Sequence, residues 1–163
     1  MSAVNKDWRK GATIPIWHPD ISVGNAKLDE QHIVLLELGR NLLRLLQGPA
    51  ARMDSILPAL QDLYGLCCQH DLDEEEVLRN NACPTLDQHI ESHQATQGKL
   101  ARLLADASNN AFNEAELSQV ITEWMAHHIS ENDLPVKQYL KVKPGSKPRP
   151  RRPNRLSFAT VGV

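Results

Sequence analysis

The sequence predicts an all-α protein: an antiparallel up-down-up-down four-helix bundle with an irregular N-terminal arm and a disordered basic C-terminal tail. Three observations predict it. Apolar residues recur at helical spacing along four separate segments, giving each helix one inward stripe. The long Val/Ile/Tyr/Phe alternation of half-buried strands is missing, and aromatics are only 4% of residues, so Leu, Ala, Ile and Val must fill the core. Short connections join the segments, which favours antiparallel neighbours. A length of 163 residues suits one domain with room for an appendage.

Residues 1–25 form the arm: Gly11, Pro15, Pro19 and Gly24 prevent a long helix, while Trp17, Ile21 and Val23 can lie extended over a core. The bundle spans 26–140. Its first helix is expected from about Asp29, a plausible cap, to about Gln47, with Leu28, His32, Leu35, Leu36, Leu42, Leu43 and Leu46 inward and Gly48-Pro49 as its stop. The second runs from near Asp54 to about Asn80, with Leu57, Leu60, Tyr64, Cys67, His70, Glu74 and Val77 on one stripe. Pro58 is expected in its first turn, where proline is tolerated. Asn80, Asn81 and Pro84 break the chain. The third helix opens at Thr85, carries His89, His93, Leu100, Leu103 and Leu104, and ends at Ser108-Asn109-Asn110. The fourth starts with Asn113 as cap and Glu116 three residues on, a variant capping box, and turns Leu117, Ile121, Trp124 and His128 inward. Leu134 precedes Pro135 and so prefers an extended backbone; the fourth helix is expected to stop just before it. Residues 141–163, with Pro144, Pro148, Pro150 and Pro153, read as a disordered extension.

The net charge of −2 hides an asymmetry. From Lys141 onward there are seven Lys/Arg and no acid, so the body sets all 20 acids against the remaining 11 of 18 bases. That excludes a protein which neutralises nucleic acid over its whole surface; an acidic partner, anionic lipid or nucleic acid would act at the tail. The three cysteines, Cys67, Cys68 and Cys83, are an odd count with two adjacent, a poor disulfide framework that fits a reducing compartment. No apolar signal region and no run of 18 apolar residues occurs, so the expectation is a cytoplasmic protein without membrane insertion.

Five of the seven histidines fall into a pattern with two carboxylates: His32, His70 with Glu74, His89 with His93, and His128 with Asp133. Positions i and i+4 lie about 40° apart on the helical wheel, so each four-residue pair can converge on one point. Five residues leave Asp133 about 140° from His128 in a regular helix; the expected helix end lets its carboxylate fold back. A lone histidine on an apolar stripe is ordinarily a hydrogen-bonded core residue, and a His/Glu pair at i,i+4 is ordinarily a solvated surface pair. Concurrence on four segments changes the reading, because burying five imidazoles and two carboxylates unpaired carries a large desolvation cost that bound metal removes. Imidazole suits iron, copper, nickel and zinc, and a carboxylate can bridge two ions. Cys67, Cys68, His70 and Cys83 suggest zinc instead, but lack the usual paired-Cys spacing.

Over about residues 14–140 the chain resembles the hemerythrin family, specifically the single-domain bacterial hemerythrins. The resemblance rests on Trp17, Ile21-Ser22-Val23-Gly24, Leu28-Asp29-Glu30-Gln31-His32, His70-x-x-x-Glu74-Glu75, Pro84 followed by His89-x-x-x-His93, and Trp124-x-x-x-His128-Ile129-x-x-x-Asp133. It implies two iron ions (Fe2+/Fe3+) with a bridging hydroxide or oxide. His89, His93 and His128 would hold one ion, His32 and His70 the other, and Glu74 and Asp133 would bridge them. O2 would bind at the open position of the second ion. The implied protein is a monomeric oxygen carrier, store or deliverer, not an enzyme.

Three positions depart from the family pattern. Asp71 and Thr96 stand where the family has phenylalanines that shield the bound ligand, and Cys83 replaces the aromatic before the loop proline. The pocket is therefore expected to be more polar or more open, with faster autoxidation, unless Leu66, Leu72 or Met125 repacks it. Two alternatives follow: a sensor of O2, nitric oxide or iron whose tail engages a partner, and an enzyme that reduces peroxide or nitric oxide at the same centre. A ferritin-like oxidase is disfavoured because no Glu-x-x-His motif is present. His18 and His127 are expected at the surface or in support of the ligands.

Overall fold

The computed structural model describes residues 14–47, 53–109, 111 and 113–141. Residues 1–13, the Gly48-Pro49 stop and tail positions 142–163 lie outside the described residues. Five α-helices follow in order: α1 (Ala26–Gln47), α2 (Met53–Asn80), α3 (Leu86–Ser108), α4 (Glu114–His127) and, after a π-helical turn (His128–Asp133), α5 (Leu134–Leu140). α1 packs on α2, α2 on α3 and α3 on α4, and α4 returns to α1, which closes the bundle.

The start of α1 corrects one expectation. Asn25, not Asp29, caps it: the Asn25 side-chain oxygen accepts from the backbone N–H of Lys27 and of Leu28. Asp29 lies inside the first turn and fastens the arm instead, accepting from Ser22 Oγ at 2.7 Å and from the Val23 N–H at 2.8 Å. Trp17 Nε1 donates to the Asp29 carbonyl. The arm bends through a 3-10 turn at Pro19–Ile21 and through Gly24, whose φ of 78° favours glycine. Ile21 and Val23 of the arm are buried, as is Ile14, and Trp17 is half-buried.

Along α2 the buried stripe is Ile56, Leu60, Leu63, Cys67, His70, Asp71, Asp73, Glu74 and Leu78; Leu57, Tyr64 and Val77 flank it, half-buried. Pro58 is the sixth residue of α2 rather than part of its first turn, and the helix runs on through it with the ring exposed. Asn113 caps α4 as expected, accepting from the Glu116 N–H.

The expected stop before Leu134 does not occur. Leu134 is helical (φ −59°, ψ −38°), and its N–H reaches five residues back to the Ile129 carbonyl. The helix widens into a π turn, and Pro135 then falls in the first turn of α5, where its missing N–H leaves no bond unmade. The proline resets the helix instead of ending it.

Two apolar clusters result. The larger holds Leu35, Leu36, Leu42, Ile56, Leu60, Leu63, Leu100, Leu103, Leu117 and Ile121. The smaller, Val23, Leu28, Leu78, Cys83, Val136 and Leu140, caps the other end. Asn25 donates to the Leu140 carbonyl at 3.1 Å and Asn81 to the Tyr139 carbonyl at 2.6 Å, tying α5 down over that end. On every long helix the candidate ligands lie in sequence between residues of the two clusters. They fall near the N-terminal ends of α1 and α3 and the C-terminal ends of α2 and α4, so those ends meet in one polar layer, the antiparallel order expected. No helix among the described residues is long and apolar enough to cross a membrane.

Candidate metal centre

All seven ligand-type residues reach this layer and all are buried. Their metal-competent atoms sort into two groups that share one member: His32, His70, His128 and Asp133, and Glu74, His89, His93 and Asp133. In the first, His70 Nε2 lies 3.1 Å from the Nε2 atoms of both His32 and His128. In the second, Glu74 Oε2 lies 3.1 Å from His89 Nε2 and 3.3 Å from His93 Nε2. The Asp133 carboxylate faces both ways: Oδ2 is 3.1 Å from His32 Nε2, and Oδ1 is 3.7 Å from His89 Nε2. This grouping departs from the implied three-and-two division. His128 leaves the first position of the π turn, and its ring stands edge-on to His70, centroids 5.2 Å apart, rather than beside His89.

The five-residue spacing of His128 and Asp133 also has a different cause from the one expected. The i→i+5 bonding of the π turn brings a residue five positions on back over its starting point, so no helix end is needed.

Neighbours orient two of the rings. Gln31 Nε2 donates to Asp73 at 2.8 Å, which leaves Gln31 Oε1 facing His70 Nδ1 at 3.2 Å. That nitrogen must carry the hydrogen, so His70 Nε2 offers its lone pair inward. Lys27 holds Asp73 from outside at 2.8 Å. Glu75 Oε1 does the same for His93 Nδ1 at 3.0 Å. Sequence reasoning quoted Gln31 and Glu75 only as motif letters and missed Asp73. The signal was available, since Asp73 follows His70 by one helical turn and Glu75 follows Glu74 directly.

Electrostatics divide the layer. Burial, and then the neighbouring His32, push His70 down to about 3. Burial followed by His70 holds His128 well below the usual imidazole range, and burial lowers His32. These rings are neutral, the form that binds metal. Across the layer, burial acts against charge on His93, but the Glu74 and Asp71 carboxylates outweigh it and raise that ring to about 9. Burial likewise opposes charge on Glu74, yet His89 and His93 pull it well below the usual carboxylate range. Asp133 goes the other way: burial, then repulsion from Glu74, raises it well above that range.

Among the described residues, His32 Nδ1, Asp71 Oδ1, Glu74 Oε1, His93 Nε2 and both Asp133 oxygens are buried without a hydrogen-bond partner. Such atoms are rare in folded proteins. Converging lone pairs and unpartnered carboxylate oxygens are what a pair of cations would satisfy, so the donor set fits a two-metal centre.

The three departures now have positions. Asp71 is buried against the layer. Thr96 lines a groove of about 190 Å³ between α3 and α4 whose walls include Trp124, His127, His128 and Asn132, so the groove reaches the His128 side of the layer. Cys83 packs into the capping cluster. Leu72 is 62% exposed and fills nothing, whereas Met125 lines a void of about 10 Å³ with His32, Leu35, Leu36, His128 and Ile129. Gly39 permits that packing, because a Cβ there would meet Met125 and Ile14 side-chain atoms at 3.1–3.3 Å. His18 and His127 pair with Asp20 and Glu131 away from the layer. Cys67 is buried and Cys68 half-buried; neither metal-competent group contains a cysteine, so the zinc alternative is not assembled.

The family model of the hemerythrin HHE cation binding domain matches residues 23–140. No curated protein and no solved structure matches the chain.

Proposed function

The chain belongs to the hemerythrin family, and from that premise we propose that its buried polar layer holds two iron ions and binds O2 reversibly. That the protein is a metal-binding one of hemerythrin type follows from the family match and the two ligand groups. His32, His70, His128, Glu74, His89 and His93 would hold the ions, with Asp133 and Glu74 between them. Bound iron supplies the electrons that reversible O2 uptake draws on.

The observation that carries O2 as the ligand is the void beside His32 and His128. It offers about the room of one water-sized molecule and is walled by Leu35, Leu36, Met125 and Ile129. Such a wall gives a charged or strongly hydrogen-bonding ligand no partner, whereas a small uncharged diatomic molecule loses little on entering. The surrounding chain keeps water out on this side and holds three imidazoles neutral. Gln31 and Glu75 fix the two rings they touch. We read the protein as a cytoplasmic, monomeric binding protein rather than an enzyme.

A second reading, reduction of peroxide or nitric oxide at the same centre, is favoured by the Thr96 groove, which brings polar solutes to the His128 side. A sensor role through the basic tail concerns residues outside those described.

The test is optical. Ferrous protein kept from air is expected to carry two irons per chain and little colour, to develop a visible band in air, and to lose it when O2 is removed. A protein that holds zinc and stays colourless overturns the reading. Sustained turnover of peroxide without a reversible band replaces it with the second.

A further inference from the structure

Asp71 is a buried carboxylate that the seven-ligand pattern does not use. It follows His70 on α2, comes four residues after Cys67 and three before Glu74, and so lies on the helix's inward face. It is 1% exposed, while Leu72 beside it is 62% exposed, so the burial is particular to this position. Burying a carboxylate carries a heavy penalty unless something compensates the charge.

Its two oxygens have different surroundings. Oδ2 accepts from Gln97 Nε2 at 2.6 Å and from the Cys67 thiol at 3.7 Å. Those two donors, one from α3 and one from α2, fix the carboxylate plane. Oδ1 has no hydrogen-bond partner and lies 3.7 Å from His93 Nε2, which has none either. Glu75 accepts from Nδ1, which leaves Nε2 as the nitrogen that can face a cation. Asp71 Oδ1 and Glu74 Oε2, the latter 3.3 Å away, are the carboxylate oxygens beside it. Neighbouring ligands on one first-row ion, each about 2.0–2.2 Å from it, stand roughly 3 Å apart; the Glu74 spacing is close to that and the Asp71 spacing slightly wider. A cation at that nitrogen would lie beside both oxygens.

We propose that Asp71 Oδ1 is an additional metal ligand, joining Glu74 and His93 on one ion of the pair, so that this centre carries three carboxylates. The inference rests on the two-metal reading above. With a third anionic ligand, two divalent ions and a bridging hydroxide sum to no net charge; with two carboxylates one positive charge remains. The ion beside Asp71 is more completely surrounded by protein than its neighbour, and the added negative charge favours the ferric state. The phenylalanine-to-aspartate departure thus changes the metal's ligand set as well as the polarity of its pocket.

The test uses the full chain and its Asp71→Asn and Asp71→Glu variants, loaded with Co2+ and titrated against a competing chelator. Asparagine keeps the shape and can accept from Gln97, but turns an amide toward the ion. Wild type is expected to take up two ions. In Asp71→Asn one of the two should bind about 10–100-fold more weakly, and its Co2+ absorption should intensify as the coordination number falls. Asp71→Glu should recover much of the affinity, which a merely structural role would not require. Two equally tight ions and unchanged Co2+ spectra in Asp71→Asn would overturn the Asp71 assignment and leave the two-metal reading standing. Failure of wild type to take up two ions overturns both. Helical content by circular dichroism checks that each variant folds; should Asp71→Asn not fold, wild-type affinity in Asp71→Ser would overturn the assignment equally.

Discussion

Around His32, His70 and His128 the neighbours are Leu35, Leu36, Met125 and Ile129; around Glu74, His89 and His93 they are Asp71, Glu75 and Gln97. Both sides are buried. On the first, burial and the neighbouring His32 outweigh the pull of Glu74 and Asp73, and His70 falls to about 3. On the second, two carboxylates beside His93 reverse the sign, and that ring rises to about 9. Burial alone therefore does not fix the charge of an inward histidine; the count of adjacent anions does. The first side is walled by apolar side chains, the second by carboxylates.

The most severe way to break this contrast is Asp133→Ala, because Asp133 is the one residue in both groups. It is expected to abolish two-ion loading, whereas His32→Ala should cost only the ion on its own side; metal analysis of the purified variants separates the two results. Equal loss from both would mean that the sides are not distinct. Stripping bound metal from wild type comes next. Filling the sites at about a thousand times Kd stabilises the fold by about 4 kcal/mol, read as a shift in denaturant midpoint between loaded and stripped protein. Leu36→Ala enlarges the dry side's void and should cost about 3 kcal/mol of stability while two ions still bind, which sharpens the distinction between packing and ligation. Asn25→Ala removes a helix cap and the tie to the Leu140 carbonyl, and should cost about 1 kcal/mol with no change in metal content. Smallest in stability, within about 0.5 kcal/mol, is Thr96→Phe at the groove. Its expected effect is kinetic: slower decay of the air-formed band, followed by absorption over hours. An unchanged decay rate would remove the groove from any account of autoxidation.

The four helices were legible because their apolar stripes are long and their breaks carry Asn, Gly or Pro, and the ligand residues because histidine is conspicuous on such a stripe. Three features were hidden for physical reasons. Asp29 looks like a cap, but Asn25 does that work, and only the arm's path reveals why Asp29 is free to hold Ser22 and Val23. Leu134-Pro135 reads as a stop under the local rule for residues before proline. That rule is a steric bias against α geometry at the residue before proline, and Leu134 is helical despite it where the π turn passes into the first turn of α5. Asp71 was visible as an oddity, yet whether it faces solvent or the buried polar layer depends on Gln97, a residue 26 positions away on another helix. Leu72 beside it shows how little separates the two outcomes.

The π turn at His128–Asp133 takes up one residue more than an α turn holds. In a regular helix the loss of one residue turns everything after it by about 100°. Here a single deletion between Ile129 and Asn132 would let the segment relax to ordinary α geometry, with His128 and Asp133 then four positions apart and about 40° apart on the wheel. Asp133 would stay beside both metal groups, and Val136 and Leu140 would keep their places in the capping cluster. A second deletion in the same stretch has no such slack and would swing Asp133, Val136 and Leu140 away together. The register of one turn thus links the ligands to the closure of the bundle's end, with a tolerance of one residue.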